Sequence, residues 1–141
     1  MAITQAMCTS FKQDLMDKVM DLGSGGDTIK IALYTSSATL DSTTTAYSAT
    51  NEVSGSGYTA TGYTLQNQVV STSGTTAYFD ADDPEWTTAS FTTAGALIYN
   101  DTVAGKNAIA VLNFGGDFTV TAGTFRIVFP APGATAIVRI D

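Results

Sequence analysis

Residues able to do chemistry are few in this 141-residue chain, and the densest group is Asp80-Ala81-Asp82-Asp83-Pro84-Glu85-Trp86. Carboxylates so placed can ligate Ca²⁺, or can act as acid and base in glycoside hydrolysis with Asp82 and Glu85 in the two roles. The glycine and distal glutamate that an EF-hand loop needs at fixed offsets are missing, and a turn opened by Asp and broken by Pro84 accounts for the same residues. Trp86 can offer a stacking platform to a sugar ring; packing in a core or an interface is the alternative for so large a side chain. The chain has no histidine. That excludes Ser-His-Asp and Cys-His catalysis, His-ligated zinc and a histidine pH switch. Cys8 is the single cysteine, with no partner for an internal disulfide and no base to activate it. The glycines of 54–58 and 61–63 are followed by no Lys-Ser/Thr and open no helix, so a hairpin or bulge suits them better than a phosphate loop. Asn100-Asp101-Thr102 matches a glycosylation acceptor, which has meaning only in a secreted chain. These residues predict a non-enzymatic protein with no catalytic, cofactor or metal site.

The elements that position these residues follow from composition and periodicity. Charged residues make up 13% of the chain, about half the usual share. Polar surface comes instead from 24 Thr and 11 Ser, and β-branched Thr suits a pleated, half-exposed strand. Length and a 44% hydrophobic content fit one domain. We read residues 1–23 as an N-terminal helical arm and 27–141 as a β-sandwich or jelly roll, an all-β fold with one helix. Phe11, Leu15, Val19 and Leu22 recur at helical spacing over 4–22, with Thr4 as N-cap and Gly23 as the stop. This helix either packs on its own domain or docks on a partner. From 28 onward the period is two, and strands are expected over 28–35, 58–70, 76–80, 90–92, 95–100, 108–113, 124–129 and 136–140. Turns are expected at Ser73-Gly74, Asp83-Pro84, 100–105, Gly115-Gly116-Asp117 and 130–133. The Ser/Thr-rich stretch 36–51 is either a partner-contacting excursion or a solvated loop.

Net charge is −7, and six basic residues scattered singly form no stripe for a phosphate backbone, so neither nucleic acid nor an anionic membrane is an expected partner. Lys12, Asp14, Asp17 and Lys18 interrupt any signal-peptide core, and no apolar run reaches membrane-spanning length. Apolar residues in polar surroundings nominate partner contacts: Phe11, Leu15 and Val19 on the helix, Leu40 and Tyr47 in the loop, and Trp86 at the acidic turn.

Several blocks, taken jointly and in order, carry a resemblance: MAITQAMCTSFK at 1–12, IALYTS at 31–36, NEVSGSGY at 51–58, GALIYN at 95–100, Phe129-Pro130 and the closing strand 136–140. The chain resembles the capsid cement (decoration) proteins of tailed phages, of the Bordetella podophage type. That resemblance implies a jelly-roll protein in many copies, as dimers, on the outside of an HK97-like shell. Its partner would be the major capsid protein, whose neighbouring capsomers it clamps, and it would reside on the virion after assembly in the host cytoplasm. The family offers no catalytic or cofactor residue to carry over. Acidic charge suits the outer surface of a DNA-filled shell. The other readings are a tail or fibre component, a carbohydrate-binding β-sandwich, and a glycosidase using Asp82 and Glu85.

Overall fold

The most apolar stretches, 29–34, 94–100 and 108–112, are too short for buried helices and rich in branched side chains, so they pair as neighbouring strands. The computed structural model describes residues 2–141. In chain order its elements are β1 (Ala6–Met7), α1 (Thr9–Met16), β2 (Ile29–Tyr34), β3 (Tyr63–Thr64), β4 (Val69–Ser73), β5 (Thr76–Asp80), β6 (Glu85–Asn100), β7 (Ala108–Arg126) and β8 (Val138–Ile140). One antiparallel sheet runs β1-β7-β6-β2-β3 and a second runs β4-β5-β8. The chain is an all-β sandwich with one short helix. Ile31, Leu33, Ala96, Leu97, Ile98 and Ala108 sit fully buried in one continuous core cluster. No helix among the described residues is long and apolar enough to cross a membrane.

The helix is shorter than its apolar periodicity predicts, and both ends have a cause. Ala6 and Met7 pair with Val111 and Ala110 of β7, and the Thr4 N–H donates to the Leu40 carbonyl at 2.8 Å. The first residues are therefore bound into the domain rather than forming a helical arm. Cys8, in extended conformation, takes the N-cap position in place of Thr4. At the other end Lys18 adopts φ +63, its N–H reaching Leu15 O at 3.4 Å while the Val19 N–H reaches Asp14 O at 2.9 Å. That pair of bonds is a Schellman closure, here with a lysine in the left-handed position where glycine is usual. The glycine at 23, which predicts the stop, comes too late.

The long ribbon of β6 and β7 replaces four expected strands. Gly115-Gly116-Asp117 is no hairpin turn. Between Thr93↔Phe118 and Gly95↔Asn113, β7 carries Phe114–Asp117 opposite the single Ala94, a bulge with Gly115 at φ +83. The expected strand over 58–70 also breaks up. Gly62, at φ +93, lies so close to the Ile31 carbonyl that a Cβ would collide with it, and only Tyr63–Thr64 pairs with β2 before the chain turns to the small sheet. β5 occupies the expected 76–80, and Gly74 at φ +58 turns the β4–β5 hairpin.

Phe11 is 1% exposed and sits in the core. Phe11→Ala is expected to cost about 3–5 kcal/mol of unfolding free energy in a urea titration, whereas a cost under about 1 kcal/mol would place that ring at the surface.

Candidate functional site

The six nominated contact residues do not converge. Phe11, Leu40 and Trp86 are buried within the chain itself and offer no surface to a partner, which corrects their assignment. Leu40 is held by a parallel bridge to Ile3 and a bond from its N–H to Ala2 O at 3.0 Å. Trp86 lies among Tyr58, Tyr63 and Phe125, with ring centroids 5.7–6.3 Å away. Tyr47 stacks on Tyr99 at 4.9 Å and its hydroxyl donates to Glu52 Oε1 at 2.6 Å, so it too faces inward. Leu15 is half-buried against the core, and Val19 is exposed.

The loop 36–51 lies against the domain on one side, with Ala38 and Leu40 buried and Asp41, Thr44, Ala46 and Tyr47 half-buried, while its other residues are exposed. Glu52, at its end, fastens it, accepting from the Tyr47 and Tyr58 hydroxyls at 2.6 Å each and from the Thr61 N–H at 2.9 Å. Tyr34 and Tyr99 donate to Ser48 O and Thr61 O, each at 2.6 Å. Burial, then the bond to Glu52, pushes the Tyr47 phenol up to about 12, and burial likewise raises Tyr34, Tyr58 and Tyr99. Burial, with Asp41 adding to it, pushes the Cys8 thiol up to about 11. A neutral thiol is a poor nucleophile.

The acidic turn works as a fastening. Asp83 accepts from Arg126 Nη2 and from the Phe129 N–H, both at 2.9 Å, and Asp82 accepts from the Asn67 amide. Burial, then its own neighbours Asp83 and Asp82, holds the Asp80 carboxyl above the usual range. Among the described residues no group of three or more His, Cys, Asp or Glu is gathered closely enough to hold a metal ion.

Two apolar surfaces remain, and both lie where an element is too short or too bent to cover its neighbour. In the small sheet Val70, Phe79 and Val138 stand opposite one another, as do Ala77 and Ile140, forming one apolar face. The two-turn α1 spans only about 12 Å and leaves that face partly open. A groove of about 330 Å³ results, lined by Phe11, Leu15, Met20, Val70, Phe79 and Ile140. Val70 and Ile140 are each 50% exposed, and Met16, on the same short helix, is 83% exposed. The second surface lies on the ribbon, where Phe114, Phe118, Phe125, Ile127 and Val128 line a shallow depression. The periodicity of the sequence pointed to the helix side of the groove but not to Val70 and Ile140, because short strands mark their open face only through partners distant in sequence.

Comparison of the chain with protein-family models, with curated proteins and with solved structures finds no match.

The raised phenols give stability a defined pH limit. The folded state holds them neutral while unfolded tyrosines ionise near pH 10, so their contribution is complete below about pH 10 and declines above it, that of Tyr47 being lost as pH rises through about 12. Denaturation midpoints are expected to stay level from about pH 7 to 9 and to fall between about pH 10 and 12. A midpoint unchanged across the alkaline window would contradict this arrangement of the tyrosines.

Proposed function

We propose that the chain is a non-enzymatic structural protein that binds the outside of a phage capsid and stabilises it by bridging neighbouring capsomers of the major capsid protein. The observation that carries the reading on the structural side is the open apolar groove between α1 and the β4-β5-β8 sheet, in whose lining Asp21 and Arg139 alone are charged. Such a surface can be buried against a partner with few ions to desolvate, which is the costly part of docking a charged surface. The sequence blocks at 1–12, 31–36, 51–58 and 95–100 supply the resemblance to cement proteins, and the net charge of −7 suits a surface facing away from packaged DNA. On this reading Leu15, Met16, Val70 and Ile140 contact the shell. Each contact is modest, and symmetry repeats it many times over the particle, so the sum opposes expansion.

Quantitative mass spectrometry of purified particles tests the assignment. A copy number comparable to that of the major shell protein is expected. A few copies per particle would indicate a tail or fibre part instead, and absence from particles would remove the reading. A Val70→Asp, Ile140→Asp double variant is expected to keep the wild-type circular dichroism spectrum while losing particle occupancy, since half-exposed positions tolerate a charge that an apolar seam does not. Full occupancy by that folded variant would exclude the groove as the anchor.

A further inference from the structure

The small sheet ends on an open edge beside the groove. β4 pairs with β5 on one flank and, among the described residues, has no strand on the other. Gly74, at φ +58, opens the two-residue turn between Ser73 and Thr76, which makes those two a hydrogen-bonded pair. Bonded and non-bonded pairs alternate along an antiparallel ladder. Ser71↔Tyr78 and Val69↔Asp80 are then bonded pairs, while Val70 and Thr72 turn their N–H and C=O groups away from β5. Among the described residues no backbone group outside the sheets bonds any of these.

Edges of this kind are usually blunted by lysine, proline or a bulge, and β4 has none of the three. No residue from 53 to 79 is charged, and all of β4 is exposed. Its outward backbone groups and its apolar side chain belong to the same residues. Val70 and Thr72 stand on the face that carries Ala77, Phe79, Val138 and Ile140, and Val70 lines the groove. A strand bonded to Val70 and Thr72 sets the side chains directly opposite them over that groove, and sets the ones between them beside Ser71. Such a strand is therefore apolar at every second position.

We infer that β4 receives an extended segment of a different protein as an added antiparallel strand, with alternate apolar side chains laid into the groove and a basic residue at its C-terminal end. Main-chain bonds to Val70 and Thr72 hold such a segment, and its alternate side chains select it. The antiparallel direction continues that of the small sheet. Charge selects the end. Val69 lies opposite Asp80, and Asn67 bonds Asp82. Gln68 bonds the Leu22 and Gly23 carbonyls at 3.1 and 3.0 Å, which brings Asp21 to the same end of β4. None of these three carboxylates is in an ion pair among the described residues. An antiparallel strand ends beside Val69, so a lysine or arginine there meets them. A second copy of β4 brings no cation, because 53–79 holds none, so the occupant is another chain. The occupant so defined rests on the reading of the groove as a docking surface, and adds the form in which the partner comes.

Amide hydrogen exchange of the full chain, read by nuclear magnetic resonance with and without a synthetic peptide, tests the strand. The probe is the capped peptide Val-Thr-Val-Thr-Val-Lys, whose valines fall opposite Val70 and Thr72 when its lysine lies beside Val69. Exchange at the Val70 and Thr72 amides is expected to slow by about tenfold at saturation, while Ser71 and Ser73, already bonded to β5, change little. Thr72→Pro removes an outward donor and leaves the ladder to β5 intact, so it is expected to keep the circular dichroism spectrum and lose the peptide. On the wild-type chain, a peptide with aspartate for its central valine, or glutamate for its lysine, is expected to bind weakly or not at all. Unchanged exchange at Val70 and Thr72, or equal binding of all three peptides, would overturn the inference. Because no particle is involved, that failure leaves the capsid reading standing, and absence of the chain from particles leaves the peptide result standing.

Discussion

The structure depends on the burial of β2 and its neighbours on both faces. An antiparallel sheet commonly leaves one face wet, but five of the six residues of β2 are buried, and so are the last eight of β6. A sheet buried on both faces needs two covers, and each polar atom taken inside needs a partner. One face carries Tyr34 and Tyr99, whose hydroxyls find Ser48 O and Thr61 O in the segment that roofs them. Within the long Ser/Thr stretch the Ser48 carbonyl satisfies Tyr34, Thr61 further along the chain satisfies Tyr99, and Glu52 pins the stretch through the hydroxyls of Tyr47 and Tyr58. On the opposite face Asn100, fully buried and paired with Ile29, donates to Asp27 at 2.7 Å and reaches Met20 just beyond the helix. The turn after α1 is thus tied to the end of the central strand.

These covers are made from short pieces, and this is why apolar surface is left over. Gln68 shows the same economy, its amide nitrogen donating to the carbonyls of Leu22, Gly23 and Asp27 and so joining the small sheet to the chain after α1. The left-handed Lys18 closes the helix after two turns, and Val70 and Ile140 stay half-exposed in the groove lining. In the ribbon, the bulge at 114–117 separates the buried half of β7 from an outer half that is mostly exposed. Local backbone geometry at two places, Lys18 and this bulge, therefore sets where the protein is sticky.

The all-β class was legible from threonine content, low charge and period-two patterning, and strands such as 76–80 fell where alternation placed them. Helix ends were not legible, because Lys18 in a glycine's conformation has no compositional mark and because β1 is held by β7, a partner more than a hundred residues away. The glycines at 115 and 116 read as a turn because a wide bulge and a hairpin use the same backbone freedom. Of the nominated contacts, Trp86, Leu40 and Phe11 went astray for one reason. An isolated apolar residue in a polar segment looks exposed in one dimension, yet long-range packing supplied its neighbours. Asp83-Pro84 was legible as a turn, though not the Arg126 and Phe129 bonds that give the turn its purpose.

The groove and the depression on the ribbon draw on different elements, α1 with β4, β5 and β8 for one and the outer half of β7 with the two residues after it for the other. No lining residue serves both. Charge is scarce in each, Asp21 and Arg139 in the groove and Arg126 in the depression, so covering either surface desolvates few ions, and this follows from a chain that builds its polar surface from threonine rather than from charged residues.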